Sequence, residues 1–403
     1  MSVGCISSVR QVELSGALAR INGGPKKKMN RELVFVGGGH AHLTALLHLK
    51  ELRRNGAEVT LISPSAHHYY SGMGPGMLSG HYRPQEVRFN VKKMVEDRGG
   101  SFIEDDVTRV DPENRSLLLR SRRIVRYDIV SFNTGSQIPL PGPERLQENI
   151  FTVKPIVNLL IARQYILQRI AEKQLYVCII GGGPAGVELA GNVWRLAEDA
   201  RRKIRITLLA GERLLKHLPC KVRSYAYRSL AGRDIAIIEG RHVKQMADGA
   251  VALDDDSVVP YDMALVATGV NPPSMFRISG LPVGDDGGLL VNSRLQSVRY
   301  PEIFGGGDCI SLEHVRLPRV GVHAVRENPV LYHNLLASMT GGGMHTFSPQ
   351  EQYLLIFNMG DDRGIFWRGN MVWEGRLVFK LKDYIDRKFM RKFQVSGELD
   401  EHV

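Results

Sequence analysis

Residues 177–191 read VCIIGGGPAGVELAG, and this stretch decides the fold. A short apolar run (Val177, Ile179, Ile180) enters Gly181, Gly183 and Gly186, and Val187, Leu189 and Ala190 continue at helical spacing. Strand, glycine turn and helix in that order are what a dinucleotide-binding fingerprint requires. Gly181 allows the tight turn, Gly183 lets the backbone approach a pyrophosphate, and Gly186 lets the helix pack closely on the strand. The helix amides and its positive dipole end then face the phosphates.

One GxGxxG is weak evidence, but this one occurs twice. ELVFVGGGHAHLTALL, residues 32–47, repeats the strand (Leu33–Val36), the turn (Gly37, Gly39) and a helix from about Ala41. It departs at the third glycine, where His42 stands. Two nucleotide folds in one chain imply two nucleotides exchanging electrons, since a single-cofactor dehydrogenase needs only one.

At 403 residues the chain is long enough for two or three domains. Its 43% apolar and 24% charged fractions are ordinary for a globular protein. No apolar run reaches the roughly 18 residues of a spanning helix. The net charge of +11 suits nucleic acid, an anionic membrane surface or anionic cofactors. The four cysteines (Cys5, Cys178, Cys220, Cys309) have no CxxC or CxxxxC spacing, which argues against a zinc or other metal site, a disulfide framework and a redox-active dithiol. A reducing, cytoplasmic compartment follows.

Residues 1–30 read as a disordered extension, with a targeting peptide as the alternative. The strand Glu58–Ile62 should end in an acid that holds the adenosine ribose, but Ser63 stands there. Tyr69–His81, YYSGMGPGMLSGH, has four glycines and a proline and is expected to be an irregular loop beside a flat ligand, or a plain surface loop. Residues 101–132 read as a strand, an antiparallel excursion and a return strand closed by Asn133-Thr134-Gly135, with Pro139–Pro143 as a linker. In the second unit the strand Ile204–Leu209 ends in Ala210-Gly211, with Glu212 two places late beside Arg213, so NADH and NADPH both stay open. Thr268-Gly269 mirrors the earlier Thr134-Gly135. In IFGGGDCI, residues 303–310, Asp308 either caps a helix or grips cofactor hydroxyls, and Cys309 reads as a small packed residue. A helix from Val320 to about Ser338 contains Pro329 and should kink or be capped there.

With both fingerprints, both Thr-Gly turns and the GGGD segment, the chain resembles the two-dinucleotide-domain flavoproteins of the pyridine nucleotide-disulfide oxidoreductase family. Within these it is similar to the type II NADH dehydrogenase and sulfide:quinone oxidoreductase group over about residues 31–393. VGGGHAHL at 36–43, LISPSAHHYYSGMGPGML at 61–78 and WEGRLVFKLKDYIDRKFMRKF at 373–393 resemble the module fused ahead of selenophosphate synthetase. The resemblance implies an α/β protein with two Rossmann-like domains, the FAD domain interrupted by the NAD(P) domain, and a small C-terminal α+β region. The expected division is 31–150 and 270–345 for FAD, 151–269 for NAD(P), and 346–403 for the C-terminal region. FAD would lie against Gly37, Gly39, His40, Ser63, Val107, Thr134, Gly135, Gly307 and Asp308. NAD(P)H would lie against Gly181, Gly183, Gly186 and Gly269. Glu188 matches a glutamate near the nicotinamide–flavin junction, or else complements the helix dipole. Lys154 sits over the flavin or is a solvated linker lysine.

RLVFKLKDYIDRKFMRKF, residues 376–393, places Leu377, Val378, Leu381, Ile385 and Phe389 on one stripe, with basic residues over most of the rest. It reads as a helix lying on an anionic membrane surface, or as one packing that stripe on the FAD domain or a second subunit. No nucleic-acid motif is present. The expected reaction is hydride transfer from NAD(P)H to the flavin and delivery of electrons to a small acceptor, by resemblance a quinone. An acceptor of selenium or sulfur metabolism is the alternative, and a flavin-binding regulatory module without turnover is the reading from another class. The protein would be cytoplasmic, or peripheral on the inner face of a membrane, with a homodimer open.

Overall fold

The computed structural model describes residues 30–139, 148–247, 249–350 and 352–401. The extension before Asn30 and linker residues 140–143 lie outside the described residues.

Parallel strands flanked by helices bury both faces and therefore read as continuous apolar runs. Leu33–Val36 and Val177–Ile180 are such runs, and both are buried throughout. Each is the central strand of a five-stranded parallel sheet. The first sheet runs Ile303–Gly305, Ile129–Phe132, Arg31–Val36, Ala57–Ser63, Ser101–Glu104. The second runs Ile150–Thr152, Met263–Val266, Leu175–Ile180, Ile204–Leu209, Ala236–Ile238. In both, the chain leaves the central strand to one side and later returns to the other. Ligands bind at such reversals, outside the carboxyl ends of the strands.

An antiparallel meander, Val107–Asp111, Ser116–Leu119 and Ile124–Arg126, follows the first sheet's edge strand, as expected. The second unit carries its own meander, Val243–Ala247, Ala250–Leu253 and Val258–Pro260, which was not read from the sequence. Three antiparallel strands, Leu355–Asn358, Gly364–Arg368 and Met371–Gly375, then lead into the terminal helix Arg376–Phe393. Gly191 lets them dock, because a Cβ there would strike the Met359 carbonyl. The helix Gly321–Thr340 runs unbroken through Pro329.

The reading of Tyr69–His81 as an irregular loop is corrected. Ser71–Met73 forms a 3-10 turn and Gly74–Ser79 an α-helix whose every residue is buried. The glycines serve packing here. A Cβ on Gly74 would press on Ile156 and Leu159 at 3.1 Å, and one on Gly76 on the Tyr82 ring at 2.5 Å. Close approach to neighbours, a tertiary demand, overrides the weak helix propensity of glycine.

Candidate functional site

The two reversal points are built alike. Gly37 N donates to Ile62 O (2.8 Å) and Asn133 N to Val36 O (2.8 Å); Gly181 N donates to Leu209 O (2.9 Å) and Ala267 N to Ile180 O (2.8 Å). Gly37 (φ +87°) and Gly181 (φ +130°) have backbone torsions that side chains rarely adopt, and a Cβ on either would strike the facing carbonyl, of Asn133 or Ala267. Each fingerprint turn is thus pressed against the Asn-Thr-Gly or Ala-Thr-Gly turn of the neighbouring strand.

At the first point the Asn133 side chain ties the crevice together: its Oδ1 accepts from Ala41 N (3.2 Å) and its Nδ2 donates to Gly306 O. Gly135 has open space where a Cβ would be. Asp308 lies in the 3-10 turn Gly307–Cys309, so it does not cap an α-helix. Its carboxylate accepts from Ser136 Oγ (2.8 Å) and pairs with Lys154 Nζ, which also donates to Ser136 Oγ (2.6 Å). Lys154 is therefore no free linker lysine. Gly307 N donates to Glu327, a buried carboxyl that desolvation pushes up to about 7. Ser63 closes its strand, buried, and its carbonyl accepts from Asp105 N (3.1 Å), which brings the Val107 meander alongside.

His42 replaces the missing third glycine. Its buried ring bonds Gly37 O (2.7 Å) and Ser131 Oγ (2.9 Å), clamping the 3-10 turn His40–His42 to the sheet. His40 is buried too, with its Nδ1 3.3 Å from His68 Nε2 and its Nε2 without a partner. His323 is likewise buried with neither ring nitrogen bonded.

At the second point Gly183 and Gly269 face open space, whereas a Cβ on Gly186 would collide with the Gly181 carbonyl. Thr268 Oγ1 is buried and unpartnered. Ala210 ends the strand, and Glu212 is exposed and paired with Lys216.

Glu188, on the helix Pro184–Asp199, points where that helix meets the C-terminal strands and the terminal helix. Its Oε1 accepts from Asn358 N (2.7 Å). Burial pushes its carboxyl up to about 7, against the opposing pull of Lys382. Lys382, itself buried, pairs with Asp386 (2.6 Å) and donates to Gly72 O (2.6 Å), and Asp386 accepts from Tyr70 OH (3.0 Å). The Tyr70 ring lies edge-on to His40 at 5.3 Å. Glu188 and Lys154 thus belong to separate clusters joined through Tyr70 and His40. Ser136, His68, Tyr70, Lys382, Asp386 and Glu327 escaped the sequence reading, since each has a partner distant in the chain. A lysine and an aspartate four apart on an otherwise amphipathic helix were the only local sign.

Cys178 and Cys309 are buried, and desolvation pushes their thiols up to about 12 and about 11. Cys309 Sγ faces the Phe132 and Gly306 carbonyls (3.6 and 3.4 Å). Neither is poised as a thiolate.

The terminal helix buries Val378, Phe379, Lys382, Asp386, Met390 and Phe393. Of the expected stripe, Val378 is buried, Phe389 is half-buried, and Leu377, Leu381 and Ile385 are exposed. The stripe thus packs on the FAD domain only in part, through Phe389 against His40, Tyr70 and Phe89, because the buried face is rotated toward Lys382 and Asp386. No helix among the described residues is long and apolar enough to cross a membrane.

Two nucleotide crevices, each with backbone held open by glycine and with buried polar atoms awaiting partners, define a two-dinucleotide oxidoreductase. The sequence pattern of the pyridine nucleotide-disulphide oxidoreductases matches residues 31–330, and the chain belongs to that family. The family's FAD and NAD(P)H fit the donor set: Gly135, Gly183 and Gly269 leave room, and His40 Nε2 and Thr268 Oγ1 are unbonded. Ferroptosis suppressor protein 1 of Taeniopygia guttata is 25% identical over 380 residues, 91% of this chain and 96% of the relative. Demethylphylloquinone reductase NdbB of Synechocystis sp. is 24% identical over 325 residues, 77% of this chain and 80% of the relative. Among solved structures, NDH2 from Plasmodium falciparum in complex with NADH has the same fold, with TM-score 0.78 at 14% identity over 92% of this chain and 98% of that one.

Proposed function

We propose that the protein is an NAD(P)H:quinone oxidoreductase of the type II NADH dehydrogenase kind, working without a protein thiol. The observation that carries this reading is the pair of nucleotide crevices with, among the described residues, no reactive cysteine beside either. Similar proteins named as quinone reductases support the acceptor class. Bound FAD supplies the redox chemistry, taking two electrons from a nicotinamide and giving them to a second acceptor.

Gly37, Gly39, His40, Ser63, Val107, Thr134, Gly135, Gly307 and Asp308 hold FAD, and Gly181, Gly183, Gly186 and Gly269 hold NAD(P)H. Lys154, fixed by Asp308 and Ser136, puts positive charge where electron density accumulates. Glu188, with a carboxyl near neutrality, gives and takes protons at the junction. The strand grouping supports domain limits at 31–150 with 270–345, 151–269 and 346–403, except that Ile150 pairs in the second sheet. The exposed Leu377, Leu381, Tyr384 and Ile385, beside Trp373 and flanked by basic residues, dock the protein on an anionic inner membrane face. A homodimer through the same face is the competing outcome. The narrower kinship with the selenophosphate synthetase-linked module rests on residues 36–43, 61–78 and 373–393, and it allows an acceptor of selenium metabolism.

The test is the anaerobic visible spectrum of the purified protein before and after NADH, then NADPH, then a quinone. Flavin bands that bleach with a nicotinamide and return with quinone support the reading. Bands that persist with both nicotinamides refute it and favour a flavin-binding module.

A further inference from the structure

Both histidines of His40-Ala-His42 are buried, but only one is satisfied. His42 spends both ring nitrogens on Gly37 and Ser131 and is a structural clamp. His40 spends Nδ1 on His68 Nε2 at 3.3 Å, rings edge-on at 4.7 Å between centroids, and its Nε2 has no partner. Tyr70 and Phe389 box the His40 ring at 5.3 and 5.9 Å, and Phe89 stacks on His68 at 6.4 Å. An unbonded nitrogen in a buried ring is costly unless a ligand reaches it.

His40 follows Gly39 and opens the 3-10 turn at the first fingerprint, so its backbone lies at the reversal point that the FAD reading assigns. The groups facing the pair are Lys154, itself paired to Asp308, the Tyr70 hydroxyl, and beyond it Asp386 and Lys382 of the terminal helix. Desolvation, reinforced by Lys154, lowers His40 to about 4 and His68 well below its usual value. Both rings are neutral at working pH, each with one N–H to pass on. His68 is less deeply buried than His40 and connects the pair to the outside.

We propose that His40 and His68 form a proton relay for the acceptor half-reaction. The inference rests on the quinone-reductase reading above. Reduction of a quinone to hydroquinone takes two electrons and two protons, whereas the hydride of NAD(P)H brings two electrons and one proton. The other proton comes from water. The N–H of His40 Nε2 breaks as an O–H bond forms on the acceptor, His40 Nδ1 takes the proton of His68 Nε2, and His68 Nδ1 is reprotonated from solvent. Neutral imidazoles suit this role, since negative charge growing on the acceptor draws the proton without a buried cation at rest.

His40→Leu and His68→Leu test it, with wild-type protein beside them. Ferricyanide takes electrons without protons, while menadione needs both. The relay predicts menadione turnover reduced about 10²-fold in both variants, with the acid-side pH profile altered; in His68→Leu, which touches no FAD-holding residue but His40, FAD content, bleaching by NAD(P)H and ferricyanide turnover stay normal. A readout apart from turnover is 15N-histidine NMR of the oxidised wild type, in which the His40 Nε2 signal should move on adding menadione. Equal losses with both acceptors, or loss of FAD, in His68→Leu mark the pair as structural and overturn the relay. Menadione turnover that survives in both variants overturns it alone, whereas wild-type protein that reduces ferricyanide but no quinone overturns the function on which it rests.

Discussion

Gly183 and Gly186 lie three residues apart in one motif and have opposite reasons for being glycine. A methyl at 183 meets nothing in the protein, so only a ligand excludes it; at 186 it meets the Gly181 carbonyl. Gly183→Ala should keep its thermal midpoint while weakening NAD(P)H by about tenfold or more, roughly 1.4 kcal/mol or above. Gly186→Ala should lose stability whether or not nicotinamide is present, and calorimetry with a nicotinamide titration separates the two. Glu188 and Glu327 make a pH prediction. Both carboxyls sit at about 7 against an ordinary 4.5. Between those values the folded protein keeps protons that the unfolded chain has released, so stability falls as pH rises through that window. Glu188→Gln keeps the bond from Asn358 and removes the titration. It should be more stable than wild type at pH 8 by on the order of 2 kcal/mol and no more stable near pH 4.5, as read by denaturant unfolding.

The terminal helix shows what periodicity tells and what it leaves open. The stripe Leu377–Leu381–Ile385 was legible, as was its basic border, but its exposure was not. A helix with two apolar-flanked faces can bury either, and the choice fell to Lys382 and Asp386, which find Gly72 and Tyr70 inside. Serine at Leu377, Leu381 and Ile385 together should abolish sedimentation with anionic vesicles and leave folding nearly unchanged, since exposed substitutions change stability by about 0.5 kcal/mol or less each. Phe393→Ala, on the buried side, should cost about 3–5 kcal/mol. A vesicle-independent fall in molecular mass in the triple serine variant would instead identify that face as a dimer contact. The Gly74–Ser79 helix makes the converse point: its composition reads as loop, and only Ile156, Leu159 and Tyr82 explain why small residues form a helix there.

Across the whole molecule, the helix Pro184–Asp199, the C-terminal strands, the Ser71–Met73 turn and the terminal helix meet at one junction, where Glu188 accepts from Asn358, Lys382 reaches Gly72 and Asp386, and Asp386 accepts from Tyr70. Alanine at Cys178, Cys220 and Cys309 together should leave the NAD(P)H oxidation rate within about twofold, because neither buried thiol is activated and Cys220 is exposed with no partner thiol among the described residues. Loss of bleaching in that variant, with FAD still bound, would sink the thiol-free reaction.

The sequence by itself determined the two nucleotide units, the strand–turn–helix succession at their fingerprints, and the glycines and turns at the reversal points. These are local: a glycine turn between an apolar strand and a helix is weak evidence once and strong evidence when it is repeated in one chain. Only the tertiary structure decided which polar groups work together. Lys154 with Asp308, His40 with His68, and Glu188 with Lys382 are separated by 154, 28 and 194 residues. Their meaning comes from shared burial and mutual charge, quantities that exist only once the chain has folded.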